Sequence, residues 1–552
     1  MKIALTFFAF LFITNTYAQV FENFEPHHYS EPERLGTFNN ELVFFSNYTG
    51  PTSTNNNIGI EPCITGGTVA SSSYIKNICL TISCFFSSLT LAEWGQLNNQ
   101  LYFPTAGPNG TEPYITDGSI QGTQLLKDIN PSGDSNPKYF FTFNNKLFFQ
   151  ADNGTNGIEL WVTDGTSTGT TMLKDINPSG SSEPHSFIVF QGKLYFTAND
   201  GTNGAEIWVT DGTSAGTNIH TNIFTNGSSN AWGYTEYNNE LIFWATDGTT
   251  TEPQLWKTNG TAGNKTKLAN TYPFPQIGHY NEKSFTLYNG KLYFQAKDTA
   301  DGFEPWYTDG TAAGTGILKD IFPYNNNCNF PSRYIVYNNK LYMNVKNIYW
   351  NLYVSDGTEV GTVSFNSLDN GIKLSKSANS MTVYNNKLYF FGLDSSGGKG
   401  LYESYGLPSN TQIIKPAGAV DSLFNYTSGR IQKANGALYF GANYDAHGEI
   451  LWKYSTPAVV STKDITKEYS NIKISPNPAS DNLHIEFLKR SSEKYNLIIT
   501  DLLGKSIIKS TLQSGTTQSN IDVSNLVSGT YICNIYNNKG RIMERTKIVV
   551  LR

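Results

Sequence analysis

Nine times along this chain a two-residue turn of Asn and Gly type is followed by an apolar run, and no other feature narrows the possible folds so far. The turns are Asn39-Asn40, Asn98-Asn99, Asn144-Asn145, Gln191-Gly192, Asn238-Asn239, Asn289-Gly290, Asn338-Asn339, Asn385-Asn386 and Asn435-Gly436. Leucines opening the following runs stand at 42, 101, 147, 194, 241, 292, 341, 388 and 438, between 46 and 59 residues apart. Asn and Gly tolerate the positive φ that a type I′ hairpin turn requires at both central positions, so each turn predicts a tight hairpin. A period of this length over most of a chain signals a repeat architecture.

Each period holds four short apolar stretches. One precedes the turn, as in YFFTF (139–143), and one follows it, as in KLYFTA (193–198). After a polar loop such as DNGTNG (152–157) comes a third, typified by ELWVT (159–163). DGTSTGT (164–170) then leads to a fourth, TMLKDI (171–176), before an NPSGSSEP-type segment crosses to the next period. The fold expected is all-β: a β-propeller of eight or nine four-stranded blades. The aromatic of the third strand (Trp161, Trp208, Trp256, Trp306, Trp452, or Tyr114, Tyr353 and Tyr402) is expected between neighbouring sheets, burying its flat ring. The first period is degenerate, with Cys63 at that aromatic position in EPCITGGT (61–68).

The segment FENFEPHHYSEP (21–32) matches LKDINPSGSSEP (173–184) in layout, as a fourth strand and crossing segment with no strands before it. It is expected to complete the last unit and fasten a ring. The rival for that place is STKDI (461–465).

The periods resemble the ELWxxDGT repeat family of secreted bacterial proteins, through ELWVTDGT (159–166), EIWVTDGT (206–213) and EPWYTDGT (304–311). The resemblance spans residues 30 to about 460 and implies an architecture without an activity. Units one, eight and nine depart from it, with GGT (66–68), SYG (404–406) and KYS (453–455).

The remaining segments divide the chain further. Lys2, the apolar stretch Ile3 to Ile13 and Thr16-Tyr17-Ala18 make residues 1–18 a signal peptide cleaved between Ala18 and Gln19. The repeat domain runs over 19–465 and a linker over 466–472. Residues 473–552 alternate as a small antiparallel β-sandwich of Ig-like type. Here Pro476-Asn477-Pro478, Leu503-Gly504-Lys505, the LVSGTY segment with Gly529 and Tyr531, and the closing KIVV run resemble the type A sorting domain of type IX secretion substrates. That resemblance implies the secretion machinery as a partner and passage through the periplasm to the outer surface.

The formal net charge of −6 becomes −7 once Lys2 is removed, and residues 470–552 carry eleven basic against six acidic side chains. The mature repeat domain is thus near −12, which argues against nucleic acid or anionic lipid as its partner. No later stretch is apolar enough for a transmembrane segment. Cys63, Cys79 and Cys84 cluster and permit one disulfide in an oxidising compartment.

No nucleophile, metal or dinucleotide motif appears, and the seven His residues follow no ligand spacing. Glu112, Glu159, Glu206 and Glu304 recur at one strand position, and Asp117, Asp164, Asp211, Asp309 and Asp356 at one turn. Recurrence points to structure, since a catalytic pair is needed once. Calcium in loops such as Asp152 to Glu159 is the one cofactor alternative, though the distal Glu of an EF-type loop is missing. Two functions follow: a secreted, non-catalytic binding or adhesion protein engaging a glycan or surface polymer, or an extracellular glycan lyase or hydrolase with its site in the propeller funnel.

Overall fold

The structure is a computed structural model. It describes residues 20–23, 29–48, 60–66, 72–75, 94–250, 252–273, 284–297, 302–321, 332–346, 350–416, 419, 431–443, 450–455, 472–476, 479–487, 494–500, 506–537 and 542–551. The chain divides into two compact units, residues 1–457 and 458–552.

The Asn and Gly turns set the first unit. All nine have positive φ at both central residues, from 44° to 74°, as in Asn144 (48°) and Asn145 (55°). Each joins two antiparallel strands in tight register, such as Phe143 opposite Lys146. Third and fourth strands add in sequence order. Among the described residues this gives seven separate four-stranded antiparallel sheets and one of eight strands in the repeat region. This all-β arrangement of four-stranded sheets is consistent with propeller-like folds.

Fourth strands are shorter than the sequence suggests. Thr171–Lys174 pairs with the third strand, but Asp175 and Ile176 leave it. The cause is Glu159, whose carboxylate draws the Ile176 N–H away from the ladder at 2.7 Å. First strands carry a feature absent from the expectation. Tyr139 and Phe140 stand opposite Phe149 alone, a β-bulge with Tyr139 at φ 58°. Ser186 (59°), Gly233 (70°) and Arg333 (52°) occupy the same place in later sheets.

The eight-stranded sheet holds both ends of the repeat. Gln432–Ala434, Ala437–Ala442 and Ile450–Ser455 form one group, with Val20–Asn23 pairing antiparallel to Ile450–Ser455 (Phe21 opposite Tyr454). Tyr29–Phe38, Glu41–Tyr48, Ile60–Thr65 and Ser72–Tyr74 form the other, and the single pair Ser30 with Ile450 joins the two. The rival segment 461–465 lies outside the described residues.

Packing follows the same order. Trp161 is buried against Leu97, Tyr102 and Leu147, and Trp208 against Phe148 and Leu160, so each third-strand aromatic sits between its own sheet and the preceding one. Cys63, in the aromatic position of unit one, is buried with Leu42, Phe44, Ala437 and Tyr439, a core shared by the first and last units. First strands of successive units approach one another, and Gln432–Ala434 likewise approaches Tyr29–Phe38. Burial of these apolar faces is the main stabilising term, at about 25 cal/mol per Å².

The second unit has two sheets over one core. Ile472–Ser475, Asn482–Phe487 and Gln518–Asp522 make one, and Ser506–Leu512, Tyr495–Thr500, Gly529–Tyr536 and Ile542–Val550 the other. Leu483, Ile485, Leu497, Ile499, Cys533 and Ile548 are fully buried within it. Among the described residues the strands of this unit all pair antiparallel, and one isolated bridge is parallel. Ala479 makes a parallel bridge with Val550, donating to the Val549 carbonyl at 2.8 Å and accepting from Leu551 N–H at 2.9 Å.

Candidate functional site

The recurring acids come first, because their number hides their role. Glu159 is fully buried, and it accepts from Ile176 N–H (2.7 Å), Ser182 N–H (3.1 Å) and Ser182 Oγ (2.7 Å). Glu112 binds Ile129 and Ser135 in the same way, and Glu206 binds Ile223 and Ser229. Each pins the segment that crosses to the next unit. Burial pushes all three carboxyls up, while the hydrogen bonds pull down. Their oxygens face donors of the chain itself, which suits a structural tie.

The turn aspartates are equally absorbed. Asp164 Oδ1 accepts from Thr166 N–H (2.9 Å) and Thr166 Oγ1 (2.7 Å), and these bonds hold its carboxyl below the usual range. Thr163 and Thr170 hydroxyls close the same turn at 2.8 Å. A Cβ on Gly169 would lie 2.0 Å from Asp164 Oδ1, so the second glycine of DGTxxGT makes room for the carboxylate. In the calcium-candidate loop, Asp152 Oδ1 accepts from Gly154 N–H (2.7 Å) and Asn153 Oδ1 from Thr155 and Asn156 N–H groups. These oxygens therefore close the loop on its own backbone. Among the described residues no group of three or more His, Cys, Asp or Glu side chains is placed to hold a metal.

Unit eight contains a cluster that breaks the repeat. Glu403 takes the register position of Val162, Val209 and Val354, and it is 3% exposed. Its Oε1 accepts from Lys387 Nζ (2.9 Å) and Gln412 Nε2 (2.8 Å). Its Oε2 accepts from the hydroxyls of Tyr389 (3.2 Å) and Tyr454 (3.3 Å). Burial, then the neighbouring charge and phenol, push both tyrosines far above their ordinary value. An acid, an ammonium and two phenols are a possible acid–base set. Here each carboxylate oxygen is already held by two donors and the tyrosines are fully buried, so the cluster joins units eight and nine. The SYG departure at 404–406 marks this unit in the sequence and KYS at 453–455 marks the next, but nothing in either shows that Tyr454 meets Glu403.

A second departure lies where first strands begin. Lys138, His185 and Trp232 occupy one position in units three, four and five, each paired just before the bulge with Gln150, Thr197 and Trp244. All three are partly buried. The Tyr139 and His185 rings are 6.3 Å apart, and the Trp232 and Trp244 rings 6.4 Å. Burial lowers the His185 pKa, which favours the neutral imidazole at pH 7. Spacing alone had not assigned His185 a role, because the positive-φ residue that follows this position is Ser186 and not Gly.

Of the sorting-domain motif, Pro476 is exposed after the strand Ile472–Ser475, and Gly529 opens a strand opposite Val550. Tyr531 is buried and donates its hydroxyl to the Val527 carbonyl at 2.9 Å. Asn477, Pro478, Leu503, Gly504 and Lys505 lie outside the described residues, as do Ala18, Gln19, Cys79 and Cys84. No helix among the described residues is long and apolar enough to cross a membrane.

Solved structures similar to the chain include a puromycin hydrolase, at 10% identity and TM-score 0.35, covering 74% of this chain and 58% of that one. An oligogalacturonate lyase in complex with manganese is 11% identical with TM-score 0.31, covering 66% of this chain and 99% of that one. The extracellular domain of the putative one component system BT4673 from B. thetaiotaomicron is 11% identical with TM-score 0.28, covering 94% and 80%. The chain thus spans less than two thirds of the puromycin hydrolase, and likenesses this distant say nothing about activity. No curated protein sequence matches the chain. Residues 473–550 match the family model described as a secretion system C-terminal sorting domain, so this chain carries a signal for export to the cell surface or extracellular space.

Proposed function

We propose that the chain is a non-catalytic binding protein of the ELWxxDGT repeat type, carried across the outer membrane by type IX secretion and engaging a glycan or surface polymer. Residues 1–18 are the signal peptide, and the repeat domain is a closed ring of nine blades. The match of residues 473–550 to the sorting-domain family carries the export part. Ring closure rests on the pairing of Val20–Asn23 with Ile450–Ser455 and on the core shared by Cys63, Tyr439 and Leu451. The non-catalytic part is supported by the state of the acids: the recurring glutamates, and Glu403 outside the repeat pattern, are held by donors of the chain itself.

Two experiments test the reading. Removal of residues 473–552 in a host with type IX secretion should leave the protein in the periplasm; continued appearance in the medium sinks the export part. A glycan array of the mature full chain, run beside a polysaccharide-degradation assay, should give binding without turnover. Release of shortened or unsaturated products refutes the non-catalytic role.

A further inference from the structure

The repeat is uniform where its residues hold the fold and varied at one partly buried inner-strand position. Lys138, His185 and Trp232 stand there in consecutive units, and Tyr139 follows Lys138 in the left-handed bulge residue with its ring 6.3 Å from His185. Arg333 is the exposed counterpart of Tyr139 in unit seven, also left-handed. A bulge re-aims side chains at the end of a strand, and a bulge repeated in neighbouring sheets presents them as a set.

The opposite ends of the same strands are occupied differently. There Gln96 Nε2 donates to the Thr37 carbonyl (2.7 Å), Thr142 Oγ1 to the Gln96 carbonyl (2.5 Å) and Lys433 Nζ to the Val383 carbonyl (3.2 Å). Val189, Leu287 and Val336 fill three of the other units at that position. That end joins some units by hydrogen bonds and leaves Val189, Leu287 and Val336 exposed, whereas the bulge end collects an indole, a phenol, a neutral imidazole and cations.

We propose that the bulge end of units three to five binds a carboxylated glycan, a polymer of uronic acid. This rests on the binding role proposed above and names its ligand class. The C–H face of a pyranose ring stacks on an indole or phenol, which buries apolar area at little conformational cost. Lys138 supplies the charge-assisted partner for a sugar carboxylate. The domain is otherwise near −12, so a polyanion is held where cations are placed and repelled elsewhere. The exposed Glu183, two residues before His185 with φ 48°, sets an acidic edge to the site.

The test is affinity electrophoresis of the mature full chain in gels holding polygalacturonate, dextran or no polymer. Polygalacturonate should retard the protein, dextran should not, and added salt should weaken the effect. Trp232→Ala should weaken retardation roughly tenfold and Lys138→Gln about threefold, the latter with a shallower salt dependence. Glu183→Gln should strengthen it. Thermal melts identify any variant that has lost its fold, and Lys138→Gln, on a partly exposed side chain, keeps the test decisive if Trp232→Ala unfolds. Retardation by dextran alone overturns the uronate ligand and leaves the binding role standing. Retardation by polygalacturonate that survives both Lys138→Gln and Trp232→Ala in folded protein overturns the site. Mobility unchanged in every gel overturns the ligand class, and an empty glycan array besides would remove the binding role itself.

Discussion

Lys387 Nζ lies 2.9 Å from Glu403 Oε1, and the pair stands where units three to seven place a lysine or glutamate beside valine, lysine or tyrosine. In unit five the charges are exchanged, with Glu240 at the start of the second strand and Lys257 on the third, again at 2.9 Å. The side chain of Glu403 is nearly buried while that of Lys387 keeps 18% exposure. Removing the lysine therefore strands a charge. Lys387→Met should destabilise the repeat domain by about 1–3 kcal/mol, discounted from a fully buried pair because the ammonium is partly screened. Lys387→Met with Glu403→Val, which places the residue of units three, four and seven, should recover only part of the loss, because Gln412 and the buried hydroxyls of Tyr389 and Tyr454 then lose their acceptor. Chemical denaturation of the three proteins measures it. Burial works against the Lys387 charge, but the Glu403 hydrogen bond and charge outweigh it and raise the pKa. Its contribution is thus present below the ordinary lysine value and fades only in strong alkali, so the effect should be flat near neutrality.

Glu159 gives a prediction with the same pH sense, but in the acid range. Glu159→Gln places an amide N–H₂ against Ser182 and Ile176 donors and should cost about 1–3 kcal/mol. Burial raises the folded pKa of Glu159 above its unfolded value. A raised carboxyl pKa adds stability below the unfolded value, and this is lost as pH rises through the folded value. The glutamine lacks that term, so its penalty should grow when denaturation is repeated at pH 4 in place of pH 7.

The DGT turn separates charge from space. Asp164→Asn should cost less than about 1 kcal/mol, since Asn259 Oδ1 already accepts the Thr261 N–H at 3.0 Å in unit five. Gly169→Ala should cost about 1–3 kcal/mol, because the new methyl overlaps the Asp164 carboxylate. Thermal melts of the two variants should rank them in that order.

Deletion of residues 19–28 removes the partner strand of Ile450–Ser455. The melting midpoint should fall, and the amides of Trp452 to Ser455 should lose hydrogen-exchange protection ahead of the strands in units three to five. An unchanged midpoint with unchanged protection would show that those amides are held by something else.

Tyr531 fills the core of the C-terminal domain. Tyr531→Ala should cost that domain about 3–5 kcal/mol and Tyr531→Phe, which loses only the bond to Val527, about 0.5–1.5 kcal/mol. Export assays should follow the same order if the folded domain is what the secretion machinery reads.

Local chemistry explains what could be read from the sequence. Asn144-Asn145 and its eight counterparts announce hairpins because few residues accept two positive φ values in succession. The strand Val20–Asn23 was legible as a fourth strand with no first, and its pairing with Ile450–Ser455 follows that layout. The bulges were not legible, because Tyr139, Ser186 and Arg333 are residues that rarely adopt left-handed φ and a glycine, Gly233, marks the place in unit five alone among these four. The role of Glu159 was hidden for another reason: its partners Ile176 and Ser182 are close in the chain only by way of the fourth strand. The cluster at Glu403 lay deeper still, since Tyr454 meets it across a sheet-to-sheet boundary.

The pairing of Val20–Asn23 with Ile450–Ser455 has a temporal side. A chain made from its N-terminus presents early the strand whose partner lies in the last repeat. Until the final repeat emerges, each intervening hairpin can form on its turn while the two outer edges stay unjoined. A product truncated before the last repeat would lack the strand that pairs with its own beginning.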